Sequence, residues 1–180
     1  MPKYVAFLRA INVGGRVVKM EKLRALFESL GFVDVRTFIA SGNVVFETAS
    51  DDAEALEGEI ESLLKKELGY EVTTFLRTDA EVKSVASRKP FSEADLKQAG
   101  AFVVGFLHKP LGVKAKAALM KFKTEIDDFK VVGREVYWLC RHKQSESTFS
   151  NAVFEKKLSV RATFRGMNTM QRLAVWAFPE

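Results

Sequence analysis

The residues best suited to chemistry follow an almost unbroken apolar run that begins at Tyr4. The run ends in a polar loop with a pair of glycines between two arginines. Backbone N–H groups in a glycine-containing turn ahead of a helix can form an anion-binding concavity, and a nearby arginine offers a planar fork for phosphate or carboxylate. We therefore expect an anion site that includes Arg9, Asn12, Gly14, Gly15 and Arg16. The alternative is purely structural: the glycines make a tight strand-to-helix turn, and Arg9 forms an ordinary ion pair.

A second glycine turn is expected to complete this site. Ser41, Gly42 and Asn43 separate two extended segments, which predicts a hairpin turn. The preceding and following patterns predict a helix over residues 20–30, another over 53–68 and a strand over 71–77. The resulting order, strand-helix-strand-strand-helix-strand, is that of the ferredoxin-like fold, in which the first and third strands pair antiparallel. The loop after the first strand and the hairpin turn should therefore emerge at the same edge of the sheet.

The second half of the chain repeats the same order of elements. We predict strands at 101–107 and 161–165, helices at 113–122 and 151–158, and a hairpin about Gly133-Arg134. The expected fold class is α+β (an α/β plait) with two fused ferredoxin-like βαββαβ units plus a C-terminal helix, a divergent internal duplication. The expected domains are residues 1–78 and 101–180, joined by a helical connector at 79–100. The first core is expected to include Leu8, Leu26, Phe27, Ile39, Ile60 and Leu64.

A third candidate segment precedes the terminal helix, which is predicted to start near Thr169. Asn168 suits the N-cap of this helix, and Gln171 suits the reciprocal position of a capping box. Capping alone would account for Asn168. However, arginines near the positive end of a helix dipole are unfavourable, and a bound anion would relieve that conflict. We therefore expect Arg165, Asn168 and Thr169 to contribute to ligand binding as well.

Other reactive residues do not form a catalytic group. Cys140 and His142 are two residues apart on one predicted strand, a separation of about 6.5–7 Å, which is too long for a thiol–imidazole hydrogen bond. One cysteine cannot form an intramolecular disulfide, and with only two histidines it cannot build the usual structural zinc site. We expect no metal, no cofactor, no covalent nucleophile and a reducing compartment, and we assign no catalytic residue.

The charge is unevenly distributed along the chain. The net charge is +5, but residues 1–78 hold 10 basic and 12 acidic side chains, which leaves 18 basic and 11 acidic ones for residues 79–180. A basic surface favours anionic partners and also simply keeps a protein soluble. No run of about 18 uncharged apolar residues or secretory leader pattern is present. We expect a cytoplasmic protein without a membrane partner.

Three segments carry a resemblance to a known family. The opening YVAFLRAINVGG, the hairpin FIASGNVVF and the closing TFRGMNTMQRL resemble the marker segments of the bacterial family called domain of unknown function 1697. The resemblance extends over essentially the whole chain and implies two ferredoxin-like halves, but it implies no particular activity. In the third segment relatives usually read Thr-Arg-Asn-Trp-Asn-Thr, whereas this chain has Arg165-Gly166-Met167-Asn168-Thr169. The missing Trp argues against a stacking role there.

These patterns favour a protein that binds an anionic small molecule or a nucleotide at the edge formed by the 12–15 loop and the 41–43 turn. Two alternatives come from other functional classes. One is a nucleic-acid or protein interaction module that uses the basic second half. The other is a phosphate-handling enzyme that works mainly by positioning its substrate.

Overall fold

The computed structural model describes residues 1–12, 14–39 and 42–180, and the chain divides into two compact units. The first unit comprises residues 1–85 together with 172–180, and the second comprises residues 86–171. The predicted site residue Ser41 lies outside the described residues.

The first unit is a four-stranded antiparallel sheet with helices. Its elements are β1 (Lys3–Leu8), α1 (Met20–Glu28), β2 (Val33–Phe38), β3 (Asn43–Glu47), α2 (Ala53–Leu68), β4 (Thr74–Thr78) and α3 (Asp79–Ser87), whose last two residues are assigned to the second unit. The strand order is β2-β3-β1-β4. Because β1 pairs with a strand on each side, all its residues from Tyr4 onwards are buried, which explains its continuous apolar run.

Helix α2 has clear start and stop signals. The Asp52 carboxylate accepts a hydrogen bond from the N–H of Ala55 at the start, and Gly69 ends the helix in a left-handed conformation with φ of 82°. At 16 residues it is the longest described helix. No helix in the described part of the chain has both the length and the apolar character that crossing a bilayer requires.

The first core lies between the sheet and its helices. Leu8, Phe27, Ile60 and Leu64 are buried there as predicted, and Leu26 packs against them while partly buried. The prediction for Ile39 is wrong, because this side chain is 44% exposed and its φ is +59°. Strand β2 ends at Phe38, so Ile39 belongs to the turn, and the inward-outward alternation does not extend to it.

The second unit repeats this architecture. It contains α4 (Glu93–Lys97), β5 (Ala101–Phe106), α5 (Val113–Met120), β6 (Asp127–Val132), β7 (Glu135–Cys140), α6 (Asn151–Leu158) and β8 (Thr163–Gly166), and α7 (Met167–Ala177) begins there. The sheet order β6-β7-β5-β8 matches that of the first unit element for element. The predicted α+β class is confirmed, with two ferredoxin-like βαββαβ units and a C-terminal helix.

An aromatic cluster fills the second core. The Phe149 ring contacts Phe129 edge-on at 4.7 Å and Trp138 at 4.8 Å between centroids. The indole N–H of Trp138 donates to Asp127 over 2.8 Å, and the Ser147 hydroxyl donates to the same carboxylate. The buried carboxylate of Asp127 and the indole N–H of Trp138 are therefore paired within this core.

The predicted domains 1–78 and 101–180 with their connector 79–100 stay a prediction, and the two compact units of the structure have bounds of their own. The predicted connector 79–100 is divided between the units at residues 85 and 86. The end of α7 belongs to the first unit, where the Trp176 ring lies 4.9 Å from the Phe38 ring and Arg36 donates to the Ala177 carbonyl. Contacts between residues so far apart in sequence leave no local pattern from which the bounds could be predicted.

Candidate functional site

The end of β1 and the turn before β3 lie together in the first unit, as the topology predicts. The N–H of Leu8 donates to the Gly42 carbonyl over 2.9 Å. A Cβ on Gly42 would lie 2.7 Å from Ile11 Cγ2 and 3.2 Å from Leu8 Cβ, so only glycine fits at this contact. A second reason for glycine at position 42 is its φ of +84°, which residues with a Cβ rarely adopt.

Two of the predicted amide ligands have structural partners at this edge. The Asn12 side-chain oxygen accepts a hydrogen bond from the N–H of Val18 over 3.0 Å and so braces the loop. Asn43 is buried, and its side-chain amide donates to the Phe38 carbonyl over 2.9 Å, which closes the β2–β3 hairpin. These contacts explain both amides without a ligand, and a ligand role for either one stays a prediction.

The glycine pair is exposed and has free space around it. Gly14 and Gly15 have φ values of +66° and +80°, and a Cβ at either position would find no atom within 4 Å. A ligand could therefore approach the backbone at these two residues without meeting a side chain at either Cα.

The two arginines beside the glycines differ in setting. The Arg16 guanidinium lies 4.3 Å from the centroid of the Tyr70 ring, and the Tyr70 hydroxyl donates to the Ile11 carbonyl over 3.0 Å. This cation–π contact holds the guanidinium over the ring, while the Arg16 side chain as a whole stays exposed. Arg9 is half-buried, and its backbone N–H donates to the Thr73 carbonyl over 2.9 Å.

Left-handed backbone conformations are concentrated at this edge. Ala10 and Ile39 have φ values of +57° and +59°, although neither is glycine, and a β-branched residue in this region is a genuine outlier. Gly14, Gly15 and Gly42 share the left-handed sign. Backbone strain of this kind occurs where the surrounding structure enforces it and is frequent at binding sites.

The third candidate segment belongs to the second unit. Arg165 is buried, and its Nη1 donates to the Thr163 hydroxyl over 2.7 Å and to the Phe164 carbonyl over 3.0 Å. Burial lowers the pKa of Arg165 to about 10, so the guanidinium remains protonated at neutral pH.

The end of the same segment is more accessible than Arg165. Helix α7 begins at Met167, directly after β8, so Asn168 lies in its first turn and the predicted N-cap position is wrong by two residues. Asn168 is exposed and Thr169 is half-buried.

Asn168 also lines a cavity of about 560 Å³ within the second unit. Sequence reasoning assigned no role to the cavity residues Arg88, Lys89 and Phe102. The available signal was the basic pair Arg88-Lys89 just before Pro90, at a break between two helices. The sequence did not predict that this basic pair lies near Asn168, because the two segments that line the cavity are about eighty residues apart.

Comparisons with known proteins agree with the fold. A solved structure of a conserved bacterial protein from Streptococcus pneumoniae is similar to this chain, with a TM-score of 0.74, 19% sequence identity and 98% of each chain covered. At that identity the likeness concerns the fold alone. No curated protein matches the chain. The model of the family described as "Protein of unknown function (DUF1697)" matches residues 1–137. Because this match covers well over half of the sequence and includes the glycine loop and the hairpin turn, the chain belongs to the DUF1697 family.

Proposed function

We propose that the protein binds an anionic small molecule or a nucleotide at the edge of the first unit, here called the glycine edge. Its described residues are Arg9, Asn12, Gly14, Gly15, Arg16, Gly42 and Asn43, and Ser41 is included from the sequence alone. The observation that carries the proposal is the exposed Gly14-Gly15 pair beside Arg16, whose guanidinium lies over the Tyr70 ring. Open backbone and an oriented guanidinium are the two parts that recognition of an oxyanion requires.

The two parts would act on different atoms of the ligand. Backbone N–H groups at Gly14 and Gly15 would donate to oxygens that approach closely, because no Cβ stands in the way. Arg16 would offer the edge of its guanidinium to the same anion while its face stays on the Tyr70 ring. Arg9 would supply a second positive charge where β1 ends.

The remaining residues of the glycine edge would keep this geometry rigid. Asn12 braces the loop at Val18, and Asn43 closes the hairpin at Phe38. A loop that is already held in shape loses less conformational entropy when a ligand binds. The strained backbone at Ala10 and Ile39 supports the same interpretation, since the fold maintains it at this edge.

A thermal-shift screen with phosphorylated metabolites and nucleotides tests the proposal. We expect at least one of them to raise the melting temperature of the native chain. Arg16→Ala and Arg9→Ala should each weaken binding by about 10- to 150-fold, the equivalent of a charge-assisted pair of roughly 1.5–3 kcal/mol. The matched control is Lys22→Ala, which removes an exposed positive charge from α1 in the same unit.

A titration with labelled single-stranded RNA and duplex DNA distinguishes the alternative that uses the basic second half. Binding to many phosphates would fall by a factor of about a thousand or more between roughly 50 and 200 mM salt. Tight nucleic-acid binding that survives Arg16→Ala would refute the proposal. Release of inorganic phosphate from a bound metabolite would instead support the phosphate-handling enzyme.

A further inference from the structure

The cavity in the second unit has the size of a small-molecule site. Its volume is about 560 Å³, within the range of roughly 300–1,000 Å³ that is typical of ligand pockets. Its lining comes from residues 86–89, from residues within 96–102, and from Met167, Asn168 and Gln171 at the start of α7. Several lining positions are alanine or glycine, so the space is left open by small side chains.

The charged groups that line the cavity are all basic. Arg88 and Lys89 contribute to its wall, and the described lining residues include no Asp or Glu. Arg88 is held in place, because its Nη1 donates to the Tyr137 hydroxyl over 2.9 Å and to the Glu135 carboxylate over 3.2 Å. Since Glu135 offsets the charge of Arg88, the exposed ammonium of Lys89 supplies the net positive charge of the wall.

One side of the cavity is aromatic and apolar. Phe102 is only half-buried, and its ring lies 5.8 Å from the Phe91 ring, edge-on, and 6.2 Å from the Tyr137 ring. Two neighbouring aromatic rings therefore fix the orientation of Phe102. The buried Met167 extends this apolar wall. A fixed, partly exposed aromatic ring can pack against a flat ligand body.

The lining also includes two amides from α7. Asn168 and Gln171 are both exposed and are three residues apart, so they lie on the same face of the helix. Each amide presents donors and an acceptor, which suits recognition of the polar edge of a ring. The positive end of the dipole of this eleven-residue helix would add to the attraction for a negative group.

We propose that this cavity is a second binding site, separate from the glycine edge, for a small anion with a planar ring. Two sources share this chemistry: a nucleoside monophosphate and an aromatic carboxylate. Phe102 packs against the ring, Asn168 and Gln171 contact its polar edge, and Lys89 pairs with the phosphate or carboxylate. The second site does not depend on whether the glycine edge binds a ligand.

Isothermal titration of the full chain with four probes tests the second site. Adenosine 5′-monophosphate and benzoate represent the two ligand sources, whereas adenosine and inorganic phosphate carry only the ring or only the charge. We expect one of the first two to bind saturably and both partial probes to bind at least about tenfold more weakly. Inorganic phosphate binding as tightly as either ring-bearing anion, or no saturable binding of any probe, would overturn the proposal.

Matched variants locate the binding. Lys89→Ala and Asn168→Asp alter exposed side chains of the cavity, and each should weaken binding of the ring-bearing anion by about tenfold or more. Lys97→Ala removes an exposed charge from neighbouring α4 outside the lining and should change affinity less than about twofold. Equal losses with Lys97→Ala and Lys89→Ala would show diffuse charge attraction only. A loss with Arg16→Ala but not with Lys89→Ala would assign the binding to the glycine edge and refute the second site.

Discussion

Arg77 and Arg165 occupy equivalent positions in the two units. Each lies on the fourth strand of its sheet, opposite a valine of the first strand, with Arg77 opposite Val5 and Arg165 opposite Val104. Each is buried, and each donates from Nη1 to the carbonyl oxygen of the preceding residue, over 2.9 Å in the first unit and 3.0 Å in the second. This shared detail supports an origin of the two units by duplication.

We predict that Arg165→Ala destabilises the protein by about 1–3 kcal/mol, because the Thr163 hydroxyl and the Phe164 carbonyl lose a donor. Denaturant unfolding curves measure the loss. The exposed control Lys157→Ala on α6 should stay within about half a kcal/mol of the native chain. An equally small effect for Arg165→Ala would show that its hydrogen bonds are readily replaced by water.

A pair of glycine variants separates backbone strain from steric overlap. Gly14→Ala should cost about 1–2 kcal/mol, because its φ is +66° but its surroundings are open. Gly42→Ala should cost roughly 1–3 kcal/mol more, since the new methyl group would overlap Ile11 and Leu8. Thermal unfolding measures both. Equal losses would mean that the hairpin moves away from Ile11 at little cost.

Leu64→Ala should destabilise the first unit by about 2–5 kcal/mol, because this side chain of α2 is fully buried in the core. The neighbouring variant Leu63→Ala makes the same chemical change at a half-buried position and should cost clearly less. Denaturant midpoints compare the two variants directly. A larger loss for Leu63→Ala would reverse the assignment of the inward face of α2.

The thiol of Cys140 should be unreactive in the folded protein. It is buried in the second core, and burial raises the pKa of the thiol, which lowers the fraction of reactive thiolate at neutral and mildly alkaline pH. Iodoacetamide at pH 8 should modify it at least about tenfold more slowly in the native protein than in guanidinium chloride, as followed by mass spectrometry. Similar rates would reveal frequent local opening of β7.

The periodic and buried elements could be predicted from the sequence, because each depends on neighbours within a few residues. Helix α2 is an example, with its apolar stripe and the closing Gly69. The contact between Leu8 and Gly42 could be predicted as well, because the order of elements fixes the pairing of β1 with β3.

The failures have distinct physical causes. The alternation of inward and outward side chains along β2 predicts a core position for Ile39. The strand ends at Phe38, however, and Ile39 itself has a left-handed backbone conformation. The second-unit cavity could not be predicted because it brings Arg88 and Lys89 together with Asn168, about eighty positions later, and no local pattern records such a contact. The stacking of Arg16 on Tyr70 escaped prediction for the same reason.

The first unit is discontinuous in sequence, and this matters while the chain is being synthesised. Residues 172–180 are made after all the other residues of this unit, yet they supply Trp176 beside Phe38 and the Ala177 carbonyl that accepts from Arg36. The edge strand β2 therefore emerges from the ribosome long before residues 172–180 are made. An unprotected edge strand is a template for pairing with other nascent chains. Asp34 on that strand is exposed and pairs with Arg36, and charged side chains on an edge strand disfavour such pairing.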